Sequence, residues 1–104
     1  MKKKPLTLLI GSVTYTVLPI TQEDIDGNFA GRTDNARCQI RVDSRLPATN
    51  QSHVAFHEMV HGVSAQYDLH LHEHKVALLS TGLLQVIRDN PDLFRAMTTE
   101  KFHL

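Results

Sequence analysis

The stretch Asn50-Gln51-Ser52-His53-Val54-Ala55-Phe56-His57-Glu58-Met59-Val60-His61-Gly62-Val63-Ser64-Ala65-Gln66 reads as one helix, and the rest of the chain is organised around it. It has no proline, and its apolar residues Val54, Phe56, Met59, Val60 and Val63 recur at helical rather than strand spacing. Asn50 or Thr49 is placed to cap its start, after the connector 44–50 with Pro47. Just upstream, Cys38-Gln39-Ile40-Arg41-Val42-Asp43 alternates strictly. Cys38, Ile40 and Val42 share one face, which is the pattern of a strand with one buried side. Just downstream, residues 71–89 return to helical spacing, and Asn90-Pro91 stops them. A short third helix is expected over 92–97.

The N-terminal third is β-structure. Residues 6–10 and 13–19 are rich in Leu, Ile, Val, Thr and Tyr. Gly11-Ser12 between them suits a two-residue type II′ hairpin turn. Residues 21–26 are polar and read as one helical turn or a loop. Gly27, Gly31 and Asp34-Asn35 mark turns. The expected fold class is α+β: a small, mostly antiparallel sheet followed by two main helices packed on one face.

Bulk properties narrow the function. The chain has 104 residues, 41% of them hydrophobic, which is enough for one core and argues against disorder. Eleven basic and eleven acidic residues cancel, so neither nucleic acid nor a membrane surface is the expected partner. No apolar run reaches the ~18 residues that span a bilayer. Lys2, Lys3 and Lys4 ahead of Leu6, Leu8, Leu9 and Ile10 have a faint signal-peptide look, but Ser12, Thr14, Tyr15 and Thr16 break the apolar run. The basic start reads better as a solvated tail. Cys38 is the one cysteine, so no internal disulfide forms, and the expected location is cytoplasmic.

Seven histidines are the unusual count, and six of them fall between His53 and His74. His57 and His61 lie four apart on the helix, so their rings project from one face about 6 Å apart at Cβ. That spacing lets two imidazoles share one tetrahedral zinc ion. Glu58 is rotated by about 100° from His57. It is badly placed as a further ligand and well placed to take a proton from a metal-activated water.

A catalytic zinc site usually has three protein ligands. The metzincin pattern fails, because Ser64 and Tyr67 stand where it needs Gly and His. Asp68, His70, His72, Glu73 and His74 remain. Glu73 falls with Val76, Ser80 and Leu83 on the apolar face of the second helix, where a carboxylate would be buried and in need of a compensating cation. His72 is next in line, and His74 falls on a more mixed face. A first-turn carboxylate stabilised by the helix dipole is the plainer reading of Glu73.

His57-Glu58-Met59-Val60-His61 followed by Glu73 at the head of a second helix resembles a gluzincin-type minimal zinc metallopeptidase. The run from Glu73 to Pro91 is similar to small phage and bacterial proteins grouped as ImmA/IrrE-like. Gly31 and the strand at 38–42 fit their usual lead-in, and the resemblance covers about residues 28–95. It implies a single zincin-like domain over 1–104, zinc as cofactor, Glu58 as general base and Glu73 as third ligand. It implies a protein or peptide substrate, such as a regulator in a phage setting, without naming one. The longer relatives' additional domains have no counterpart here. The competing expectation is a non-catalytic, zinc-stabilised binding module, in which His70 or His72 would close the site.

Other residues carry weaker expectations. Tyr67, His70, His72 or His53 could stabilise an oxyanion. Tyr67 continues the Phe56-Val60-Val63 stripe and reads as core. The strand at 38–43 could pair with an extended peptide. Cys38 reads as a small buried hydrophobe, with zinc ligation as its alternative.

Overall fold

The computed structural model describes residues 4–99 and 103–104; Lys2 and Lys3 of the basic start lie outside them. Four strands and four helices follow in the order β1 (Leu6–Ile10), β2 (Val13–Pro19), α1 (Gln22–Asp26), β3 (Gly31–Asp34), β4 (Gln39–Val42), α2 (Ala48–Gln66), α3 (Glu73–Asp89) and α4 (Pro91–Met97). The fold class is α+β. No helix among the described residues is long and apolar enough to cross a membrane.

β1 and β2 form the expected hairpin, with Ile10 opposite Val13. Gly11 takes φ 62 while Ser12 stays negative, which matches the II′ turn. The sheet order is β1-β2-β4-β3, and β2 runs parallel to β4. Two of the three pairings are antiparallel, as expected of a mostly antiparallel sheet, and the parallel β2–β4 pair makes the sheet mixed. The chain leaves β2, crosses through α1, and lays β3 on the far edge. It then turns back so that β4 fills the gap, antiparallel to β3. β3 has the sequence Gly-Arg-Thr-Asp, too short and polar to show an apolar alternation. Short polar strands are typical of protected sheet edges.

α1 anchors this crossover. Thr21 and Asp24 form a reciprocal capping box, and Asp24 Oδ1 meets Arg32 Nε of β3 at 3.1 Å. The main-chain N–H of Thr21, together with that guanidinium, holds the Asp24 carboxyl below its usual range despite its burial. At the β3–β4 turn Cys38 adopts φ 54 and precedes the strand, so β4 begins at Gln39 rather than at Cys38. Cys38 packs against the edge of the core but is only half-buried, short of the burial expected of it.

The core is Ile10, Tyr15, Ile40 and Val42 beneath Val54, Ala55, Met59 and Val63 of α2. Tyr15 is fully buried, and its hydroxyl is satisfied on both sides. It donates to Asn35 Oδ1 at 2.8 Å and accepts from Gln66 Nε2 at 2.9 Å. α2 starts two residues earlier than the cap signals at Thr49 and Asn50 imply, because Pro47 sits at the N-cap and its carbonyl takes the Gln51 N–H. α3 starts at Glu73, not 71, since His72 is still extended.

Among the described residues α2 packs across the sheet, α3 packs mainly on α2, and α4 on α3. The expectation of two helices on the sheet face is corrected accordingly. Of the apolar face read on α3, Val76 is buried, while Leu79, Leu83 and Val86 remain two-fifths exposed.

Candidate metal centre

α2 and α3 meet at the site. From α2, His57 and His61 project on successive turns with ring centroids 5.0 Å apart. From the first residue of α3, the Glu73 carboxylate reaches back to both. Its Oε1 lies 2.6 Å from His57 Nε2, and its Oε2 lies 2.6 Å from His61 Nε2. One donor atom from each residue lies within 4.8 Å of the others, and no other such cluster of three is found among the described residues.

Glu73 was read as a buried carboxylate, and here the structure differs. Its side chain is 70% exposed, because residue 73 opens the helix before α3 closes onto α2. What favours its ionised form is the imidazole pair. Partial desolvation pushes its carboxyl up, but the charges and hydrogen bonds of His57 and His61 outweigh that and hold it below the usual range.

The six-residue loop 67–72 makes this approach possible. Asp68 and His70 both adopt positive φ, 56 and 53. Ser64 of α2 secures the loop, its carbonyl taking the Leu69 N–H and its hydroxyl the Leu71 N–H, each at 2.9 Å. Together these bring Glu73 back over the turn containing His61.

Asp68, His70, His72 and His74 do not join the cluster. His70 pairs with Asp68 at 2.7 Å on the open surface. Tyr67 is 60% exposed and lies over the Gly11 turn, so its reading as a core residue is overturned. α2 ends one residue before it, at Gln66.

Glu58 occupies the cleft floor and is nearly buried. The Thr33 hydroxyl of β3 lies 2.9 Å from Glu58 Oε1 and 2.8 Å from the Glu58 carbonyl, so it can donate to either. No hydrogen bond to Oε2 is found among the described residues. A hollow of about 340 Å³ is lined by Phe29, Gly31, Thr33, Asn35, Glu58, His61 and Glu73 among others. A second, of about 290 Å³, lies on the other side of Gly31 and Glu58, and includes His53 and His57. Of the four oxyanion candidates, His53 is the one that lines either hollow. Beside Gly31 the site thus contains Thr33 and Asn35, whose place in it sequence reasoning missed. Their signal was confined to Gly31, read as part of the lead-in to the motif.

The strand expected to pair with a peptide is also corrected. β4 is bonded on both sides, to β2 and β3, and has no free edge. β3 is an edge strand, as is β1, and β3 borders the first hollow.

Comparison with protein-family models, with curated proteins and with solved structures finds no match.

Proposed function

We propose that the chain is a zinc-dependent peptidase of the gluzincin type, with His57, His61 and Glu73 as metal ligands and Glu58 as general base. The observation that carries this reading is the convergence of two imidazole Nε2 atoms and one carboxylate from two helices, beside a second carboxylate in the same cleft. The donor set fits the ion, since imidazole and carboxylate are ordinary zinc ligands and three of them leave a position open. When bound, zinc would supply Lewis-acid activation of a water and of the scissile carbonyl.

The chain's own groups do the rest. Glu58 accepts the proton of the attacking water and returns it to the departing amine. Where Thr33 donates to Oε1, Oε2 is left for that exchange. The free edge of β3 offers main-chain groups to an extended peptide alongside the cleft, which makes a peptide segment the natural substrate. The resemblance to ImmA/IrrE-like proteins belongs to this proposal, as do a cytoplasmic setting and a regulatory protein as target. A zinc-stabilised binding module would need a fourth protein donor, and among the described residues the cluster has three.

The test is Glu58→Gln, after a proteome-wide cleavage screen has supplied a substrate. The variant keeps shape and zinc content and loses activity by about 100-fold or more. Equal activity in parent and variant would refute the assignment of the base. A parent that cleaves nothing when zinc-replete would refute the enzyme.

A further inference from the structure

Glu73 and Ser80 are seven residues apart on α3, so they lie two turns apart on one face. Both address the same imidazole. Glu73 Oε1 meets His57 Nε2 at 2.6 Å, and Ser80 Oγ meets His57 Nδ1 at 3.5 Å. Ser80 Oγ is the only partner of that Nδ1 among the described residues. It is also 1% exposed, in a face otherwise closed by the fully buried Val76.

Ser80 has the appearance of a helical serine bonding back to its own turn, and it does donate to the Ala77 carbonyl at 3.2 Å. That bond sets its polarity. With its proton committed to Ala77, the Ser80 oxygen is left as an acceptor, and its acceptor side faces His57 Nδ1. A polar side chain at the fully buried position of this face is costly unless both its capacities are used.

We propose that Ser80 is a positioning residue for the metal ligand His57: it accepts the Nδ1–H and so turns Nε2 toward His61 and Glu73. A relay then runs from His57 Nδ1–H to Ser80 Oγ–H to the Ala77 carbonyl. It fixes both the protonated nitrogen and the ring plane. Outer partners of this kind are what orient imidazole ligands at metal sites. His61 has no such partner among the described residues, so the two ligands are held unequally. His57 is anchored to α3 at both nitrogens, and His61 through Glu73 alone. The inference rests on the metal reading above.

The experiment compares the full-length parent with Ser80→Ala, Ser80→Thr and Ser52→Ala. Zinc affinity is read by chelator competition, and the His57 Nδ1–H resonance by proton NMR of the zinc-loaded protein. Ser80→Ala should bind zinc about 10–100-fold more weakly and lose the exchange-protected Nδ1–H signal. Ser80→Thr, which keeps the hydroxyl, should recover both. Ser52→Ala loses a helical serine's bond back to the Ala48 carbonyl, which touches no ligand, and should leave the Nδ1–H signal in place. In the parent alone, a zinc-loaded His57 with its proton on Nε2 would overturn the proposal without any variant. So would a Ser80→Ala protein with the parent's affinity and signal. If the parent itself binds no zinc, and His57→Ala behaves identically, the metal reading has failed and this inference with it.

Discussion

Gly31→Ala tests how the edge strand is seated against the motif helix. Gly31 has no positive φ, so its need for glycine is steric rather than conformational. A Cβ at this position would lie 2.4 Å from Val54 Cγ1, 3.1 Å from Glu58 Cγ and 3.2 Å from the Arg41 carbonyl. Unbonded carbons settle at about 3.5–4.0 Å, so the shortfall against Val54 is over ~1 Å. Val54 has little means of stepping aside, because a helical valine has one strongly preferred rotamer. β3 and α2 must therefore separate. Overpacking of this kind costs about 1–3 kcal/mol. The chain entropy gained by removing a strand glycine offsets about 0.5–1 kcal/mol. The clash wins, and the net loss is about 1–2 kcal/mol. Urea denaturation of the metal-free protein followed by circular dichroism measures it. Val54→Ala should relieve the clash, so the Gly31→Ala/Val54→Ala double mutant should show a favourable coupling on the order of 1 kcal/mol. Zinc affinity should hold in Gly31→Ala, since the ligands come from α2 and α3 and none from β3. A Gly31→Ala protein as stable as the parent, or a coupling of zero, would refute this seating.

Glu73→Gln should weaken zinc binding by more than about 100-fold while His72→Ala changes it little, as read by chelator competition; the reverse ranking would move the third ligand to His72. Gly82→Ala should stabilise the protein by about 0.5–1 kcal/mol, because a Cβ there meets nothing within 4 Å and alanine is the better helix former; a loss of stability would mean that this face of α3 is covered. Folding lowers the Asp24 carboxyl, so its stabilising contribution is complete well above pH 3.8 and is lost as the pH falls through the lowered folded value. Asp24→Asn should remove that part of the acid sensitivity, and parallel acid-denaturation curves for parent and variant would contradict it.

Much of the scaffold was legible because it is encoded locally. The β1–β2 hairpin follows from Gly11-Ser12 between two β-rich runs. The ends of α2 and α3 at Gln66 and Asp89 follow from loss of periodicity and from Asn90-Pro91. The shared direction of His57 and His61 follows from four-residue spacing on any helix. Glu73 was identified from helical phase, although the burial argued for it does not hold. Phase alone cannot say how far a helix end stands out from its neighbour.

What the chain's path decides is a different class of fact. Nothing local in Gly31-Arg32-Thr33-Asp34 announces a strand. Its pairing arises because the α1 crossover carries it past β2 and leaves room for β4 between them. Only then does Thr33 reach Glu58 across 25 residues of sequence, and only the docking of α3 on α2 sets Ser80 beside His57 across 23. The same docking left Asp68, His70, His72 and His74 outside a cluster that their proximity in sequence had made them candidates for. Helical spacing is a property of four or five consecutive residues, and the sequence by itself therefore determined that His57 and His61 share a face and that Glu58 is turned away from it. A hydrogen bond between distant elements depends on where whole strands and helices come to rest, and for Thr33, Ser80 and the edge strand the tertiary structure alone decided it.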